Sequence, residues 1–335
     1  MSDKMLCYNI IHLQQKAQDK LKKTPTPPLL NVFFLFLMAA LGTLATNGAS
    51  AGSPPNVLSS IRPLHALVLA VGDGIITPQL LISENISVHN FNLKASDAKK
   101  IENSDVIFWI GPELERSLEK PIATLGSSSR VITVMDDPAI SLIHYDGTHD
   151  GHGHEDEHNG QNDPHVWLST ENALGIIDIV EKTLKQADPV NGAAYEKNAK
   201  VAKNRIKTLK RQMKKFLQPV KAVPFVVQHD GFSYMVKEFG LNQRGHITNT
   251  KGSEAGARHI AELKKMMADE KVKCIFTEPQ MSSQMAKSLS LDSGINIGEL
   301  DAMGINMEES PTLYARIMQK NARALLNCLD LNGSK

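Results

Sequence analysis

Eight apolar residues recur at alternating spacings of four and three: Tyr195, Ala199, Ala202, Ile206, Leu209, Met213, Phe216 and Val220. That period marks one stripe along an α-helix. At 1.5 Å per residue the stripe covers roughly 38 Å, longer than a typical domain helix. The other faces carry Lys197, Lys200, Lys203, Arg205, Lys207, Lys210, Arg211, Lys214 and Lys215. Such a run reads as a solvated surface, with an acidic partner as the alternative.

On both sides of this helix, short apolar runs alternate with amphipathic stretches. Before it, strands are expected at Asn56–Ile61, Asp105–Ile110 and Arg130–Met135, with helices at Pro63–Val71 and from Glu113. After it, strands are expected at Val223–Gln228, Cys274–Thr277 and Ile295–Leu300. Helices are expected at Tyr234–Phe239, at Ser253–Glu270 with Ser253 as N-cap, at Ser282–Leu291 and at Leu313–Leu329. Strand–helix alternation implies parallel sheets with helices on their faces. The predicted class is therefore α/β. Two lobes, each a mainly parallel sheet flanked by helices, are joined by one long rigid helix with a cleft between them. The boundaries expected are 52–187 for the first lobe, 188–221 for the connecting helix and 222–335 for the second lobe.

The first 51 residues fall outside this pattern. Lys16, Lys20, Lys22 and Lys23 precede an apolar run, Leu29–Leu44, and small residues ending in Ala49-Ser50-Ala51 follow. A basic segment, an apolar run short of a membrane span and an A-x-A site describe a secretory signal peptide. An uncleaved anchor is the alternative. The segment holds five Lys and two Asp, so its removal takes the formal charge from +1 to −2. Neither balance favours nucleic-acid binding. Removal also takes Cys7 and leaves Cys274 and Cys328, an even number in an oxidising compartment, which predicts a disulfide. Two buried free thiols are the other reading.

Of the 12 histidines, six lie between His144 and His165. The segment 144–163 has almost no apolar residues and reads as a loop. Its His149, His152, His154 and His158 alternate with Gly and acidic residues, a composition suited to weak accessory metal capture, or to a plain spacer. Outside the loop, His89 and His165 sit in expected loops of the first lobe. His229 and Asp301 end expected strands of the second. Ligands bind open α/β sheets outside the carboxyl ends of strands. Three imidazoles and a carboxylate form a four-coordinate set suited to Zn²⁺. These candidates are separated by roughly 60 to 75 residues, so no compact finger or H-E-x-x-H helix is present. His65, His246 and His259 are left outside the candidate site.

Several segments together resemble the zinc-binding periplasmic substrate-binding proteins of ABC importers, the ZnuA-like group. They are His89–Asp97, Asp105–Pro112, the histidine-acidic loop, His165–Ser169, Val227–Asp230 and Phe276–Gln280. The resemblance implies His89, His165 and His229 as metal ligands, and a Cys274-to-Cys328 disulfide-bearing lobe. It also implies two lobes joined by one helix with the metal between them. Histidine at position 229 matches zinc members, whereas manganese members more often have Glu there. Asp301 falls where manganese and iron members place a ligating Asp. Some zinc members have Glu before the first histidine. Here it is Val88, which leaves Asp301 or water as fourth ligand. A usual His-Asp-Tyr-Ser run is replaced by His89-Asn90-Phe91-Asn92.

The function implied is capture of Zn²⁺ in the periplasm and delivery to an ABC permease membrane subunit by a monomeric, non-enzymatic protein. The rivals are a Mn²⁺ or Fe²⁺ carrier of the same class, a secreted zinc hydrolase using Glu278 or Asp230 as base, and a metal-scavenging adhesin.

Overall fold

The computed structural model describes residues 53–82, 88–144, 162–248 and 256–330. The expected signal peptide, Ser253 and the loop histidines His149, His152, His154 and His158 lie outside them. Strands β1 (Val57–Ser59), β2 (Gln79–Leu80), β3 (Val106–Trp109) and β4 (Arg130–Thr133) form one sheet in the order β2-β1-β3-β4, every pair parallel. Strands β5 (Phe225–His229), β6 (Gln243–Thr248), β7 (Cys274–Thr277) and β8 (Asn296–Glu299) repeat that topology as β6-β5-β7-β8. In each sheet the chain leaves its first strand in one direction and returns on the other side. The crevice at that reversal opens beyond the carboxyl ends of β1 and β3, and of β5 and β7, where such sheets place ligands. All residues of β3, β5 and β7 are buried, as strands covered on both faces require.

The helices are α1 (Arg62–Gly72), α2 (Ala95–Glu102), α3 (Glu119–Leu125), α4 (Thr170–Ala187), α5 (Gly192–Leu217), α6 (Ser233–Phe239), α7 (Ala257–Asp269), α8 (Gln284–Ser293) and α9 (Leu313–Leu329). Pro63 occupies the first turn of α1, where its missing N–H costs nothing. Ser169 caps α4, its hydroxyl accepting the Asn172 amide at 3.2 Å. No helix among the described residues is long and apolar enough to cross a membrane.

Helix α5 buries Tyr195, Ala199, Ala202, Ile206, Leu209 and Met213. At its end the stripe departs from expectation: Phe216 is 41% exposed and Leu217 is 1% exposed. A step of four from Met213 stays closer to the buried face than a step of three, so Leu217 takes the inward place. Part of the basic face is paired. Lys203 reaches Asp178 at 2.6 Å, and Lys210 reaches Glu238 at 3.2 Å.

One local expectation fails for an identifiable reason. The helix expected from Glu113 begins only at Glu119, after a 3₁₀ turn at Arg116–Leu118. The Glu115 carboxylate turns back and accepts the Ile110 and Gly111 amides at 3.0 and 3.1 Å, which holds that stretch as a turn. Burial raises the Glu115 carboxyl to about 7. Helix α7 is described from Ala257, with Gly256 at its N-cap.

One apolar cluster runs through both lobes. It joins α1, β3 and α4 of the first to β5 and α9 of the second, with the α5 stripe in the same cluster. A smaller cluster, including Val226, Ile275, Leu263 and Leu289, lies under α7 and α8. Buried hydrogen bonds stitch the same seam. Trp167 Nε1 donates to the Ala302 carbonyl at 2.9 Å, and the Tyr314 hydroxyl donates to the Trp167 carbonyl at 2.7 Å.

Cys274, at the start of β7, is disulfide-bonded to Cys328 in the last turn of α9, with the Cα atoms 6.0 Å apart. The bond closes a segment with a sequence separation of 54. A loop of that size corresponds to about 4 kcal/mol in the chain-entropy model. Cys328→Ser is therefore expected to lower the melting temperature by roughly 10 °C, read by calorimetry. An unchanged melting temperature would show that the disulfide does not constrain the fold.

Candidate metal centre

Three histidines converge where the two lobes meet. His89 lies in a 3₁₀ turn, Val88–Asn90, of the first lobe. His165 precedes a second 3₁₀ turn, Val166–Leu168. His229 is the last residue of β5, at the crevice of the second sheet. One ring nitrogen from each lies within 4.8 Å of the others. The ring centroids are 5.6 Å apart for His89 and His165, 5.5 Å for His89 and His229, and 4.8 Å for His165 and His229. His165 is 2% exposed and His229 5%.

Each ring is turned by local chemistry. In Asp163-Pro164-His165, the Asp163 carboxylate folds forward over the proline. Its Oδ1 accepts the His165 backbone amide at 2.9 Å and pairs with His165 Nδ1 at 2.8 Å. That is an Asx turn whose carboxylate also fixes the imidazole tautomer. In the second lobe Glu278, one residue beyond β7, pairs through Oε1 with His229 Nδ1 at 3.0 Å. Carboxylates on both Nδ1 atoms direct Nε2 of His165 and His229 to the centre, the arrangement that orients metal-binding imidazoles. His89 Nε2 is buried and has no hydrogen-bond partner among the described residues. Burial drives the His89 pKa down to about 2, and the neighbouring His165 and His229 push in the same direction. The ring is thus held neutral, the form that can donate a lone pair to a metal.

Gly231 completes the enclosure. A Cβ there would stand 2.5 Å from His229 Cε1 and 3.1 Å from His165 Nε2. Val88, Trp167, Gln280, Met281, Ala302 and Met303 line the same cavity, whose volume is about 30 Å³. The base of the histidine-rich loop is fastened beside it. His144 bridges to Asn162, and Tyr234 of the second lobe accepts the Ile143 amide at 3.1 Å and donates to the Asp163 carbonyl at 2.9 Å.

The structure does not bring Asp301 into the group. Its fully buried carboxylate accepts the amides of Met303, Gly304 and Ile305 at 3.1, 2.7 and 2.9 Å, and the Lys320 ammonium at 2.9 Å. A carboxylate so engaged organises the loop that carries Ala302 and Met303 into the cavity wall. His65, His246 and His259 also stand apart. His65 is buried in α1, 3.7 Å from Glu309. His259 Nε2 lies 2.9 Å from the His246 carbonyl, with the two rings stacked. Sequence reasoning missed the orienting roles of Asp163 and Glu278 and the packing role of Gly231. The Asp-Pro-His triplet is the one local signal that was available, because an Asp two residues before an amide closes an Asx turn. Glu278 and Gly231 act only through tertiary neighbours.

Two parallel α/β lobes on a shared helix, with three imidazoles meeting between them, define a substrate-binding protein whose ligand is a metal ion. The zinc-uptake complex component A periplasmic family model matches residues 57–328, and the chain belongs to that family. The high-affinity zinc uptake system protein ZnuA of Brucella abortus is 32% identical, over 89% of this chain and 99% of its own. A crystal structure of ZnuA superimposes with a TM-score of 0.71 at 19% identity, covering 82% of this chain and 99% of that one. FpvC from Pseudomonas aeruginosa, solved in complex with Mn²⁺, gives 0.72 at 20% identity, covering 84% of this chain and all of its own (100%). These two structures speak for the fold.

Removing either orienting carboxylate, by Asp163→Ala or Glu278→Ala, is expected to weaken metal binding roughly 10–100-fold, measured by chelator competition. Gly231→Ala is expected to weaken it at least as much. Unchanged affinity in all three would show that the rings need no such support.

Proposed function

We propose that this protein captures Zn²⁺ in the periplasm and delivers it to the membrane permease of an ABC importer, acting as a monomeric carrier and not as an enzyme. The observation that carries this reading is the all-imidazole donor set of His89, His165 and His229, oriented by two carboxylates. Imidazole suits Zn²⁺, whereas carboxylate and carbonyl oxygens suit Mn²⁺. No carboxylate joins the group among the described residues. The name of the Brucella abortus relative points to the same ion. With the metal loaded, Asp163 and Glu278 balance its two charges from behind the ligands.

In this reading residues 1–51 direct export, 52–187 and 222–335 form the two lobes, and 188–221 contain the connecting helix. The loop histidines His149, His152, His154 and His158 supply weak accessory binding. A Mn²⁺ or Fe²⁺ carrier is the second reading, kept because FpvC was solved with Mn²⁺ on the same fold. A hydrolytic role for Glu278 is disfavoured, since both its oxygens are engaged, by His229 Nδ1 and by Gln280 Nε2.

Calorimetry on the chain from Gly52 should show one tight Zn²⁺ site. Substitution of His89, His165 or His229 by Ala should weaken it on the order of 100-fold, about a fifth of a typical structural zinc binding energy. Deleting residues 149–158 should leave that site intact. Mn²⁺ winning in direct competition would favour the second reading, and a tight site lost with the loop would overturn the assignment.

Unfolded, His89 titrates near 6.5; folded without metal, it stays neutral down to about 2. Between those values the unfolded chain binds the extra proton, so stability falls as pH drops below 6.5. Burial lowers the pKa of His65 as well, with Glu309 opposing, and this acts in the same direction. Each such group contributes at most ~1.4 kcal/mol per pH unit. The metal-free protein should therefore melt at a lower temperature at pH 5.5 than at pH 7.5, and saturating Zn²⁺ should raise both values. A metal-free melting temperature that rises on acidification would contradict the buried, neutral His89.

A further inference from the structure

Three imidazoles leave one position of a tetrahedral zinc site to be filled. Among the described residues no side-chain carboxylate or thiolate joins the three ring nitrogens, and Asp301 is held elsewhere by three amides and Lys320. Much of the surrounding wall is apolar or thioether, from Val88, Trp167, Met281, Ala302 and Met303. The remaining polar side chain lining the cavity, besides the histidines and Glu278, is Gln280.

The orientation of the Gln280 amide is dictated by its neighbour. Glu278 Oε1 accepts a hydrogen bond from His229 Nδ1–H, and Glu278 Oε2 accepts one from Gln280 Nε2 at 2.8 Å. A carboxylate in this position only accepts, so the amide must present its NH₂ to it and turn its oxygen the other way. That oxygen, Oε1, is buried and accepts no hydrogen bond among the described residues. A buried carbonyl oxygen left without a donor costs free energy, and no donor to this one stands among the described residues. The cavity volume of about 30 Å³ exceeds the roughly 10–15 Å³ that one water needs. The cavity therefore admits one small ligand beside the imidazoles.

We infer that Gln280 holds the fourth, non-protein ligand of the metal, a water whose proton is donated to Oε1. The same amide, through Nε2, Glu278 and Nδ1, orients His229. This inference rests on the zinc-site reading above. Water is selected because it brings a hydrogen to an acceptor. A halide at the same position would face the negative end of the amide dipole and have nothing to donate. Gln280 is therefore a positioning and selectivity residue, one that reaches the ion through water and through His229.

The test loads the chain from Gly52 with Zn²⁺ for affinity and with Co²⁺ for visible spectroscopy. Gln280→Leu removes both ends of the amide, and its Zn²⁺ affinity should drop roughly tenfold, the lower end of the range for outer-shell partners. Its Co²⁺ spectrum should respond to added chloride, which enters the unsupported position, while the unsubstituted protein's spectrum should not. In the Glu278→Ala background, Gln280→Leu should still confer chloride sensitivity, because the water contact does not run through Glu278. If the Leu variant melts early, Gln280→Asn keeps the amide but withdraws it by one methylene, and should show the same response more weakly.

Unchanged affinity and chloride response in Gln280→Leu would overturn the proposal. So would zinc absorption fine structure showing a fourth protein ligand in place of an oxygen from water. Tight zinc binding retained in His229→Ala would instead overturn the site reading itself, and is read from a separate variant.

Discussion

Three imidazole nitrogens within 4.8 Å of one another are useful only while all three rings stay uncharged and aimed at one point. One protonated ring would repel both the metal and its neighbours. Much of the surrounding structure serves that requirement. Burial keeps His89 neutral. Asp163 and Glu278 hold protons on Nδ1 of His165 and His229 and so commit Nε2 to the centre. Gly231 lets a backbone pass where any side chain would strike the rings. The lobes must then hold their relative positions closely, because two of the imidazoles come from one and the third from the other.

That registration is provided by a shared core. A single apolar cluster continues from β3 and α1 through α5 to β5 and α9. The contacts between Trp167 and Ala302, and between Tyr314 and Trp167, tie the two sides beside the site itself. Trp167 stands next to His165, with ring centroids 5.3 Å apart, so the interlobe bond and this imidazole share one anchoring turn. Tyr234 connects the base of the histidine-rich loop, through the Asp163 carbonyl, to the residue that orients His165. Separating the lobes in an arrangement bonded in this way would expose a continuous apolar interior.

Asp301 shows how a residue well placed in sequence is claimed by its surroundings. It follows β8 closely, where a metal-binding carboxylate was expected. Three backbone amides on the succeeding loop present themselves to it, and Lys320 from α9 adds a charge. A carboxylate buried against that many donors would lose them all by turning to a metal. The loop it stabilises delivers Ala302 and Met303 to the cavity wall, so its contribution to the site is indirect.

Periodicity and strand–helix alternation in the sequence determined the α/β class, two sheets and the long α5 helix, because hydrophobic patterning is local and repeats with the element. The candidate histidines were readable as residues at strand ends and turns, and the cysteine pair from its even number. Their convergence was not, because positions separated by 76 and 64 residues, from His89 to His165 and on to His229, meet only when two sheets dock on one core. Tertiary structure alone decided that Glu115 caps a turn where a helix was expected, and that Asp301 serves a loop. It alone revealed Glu278, Gly231 and Gln280 as parts of the site. Each of those roles depends on what lies across a gap in the chain, and neither spacing nor composition records which donor, acceptor or ring will be found there.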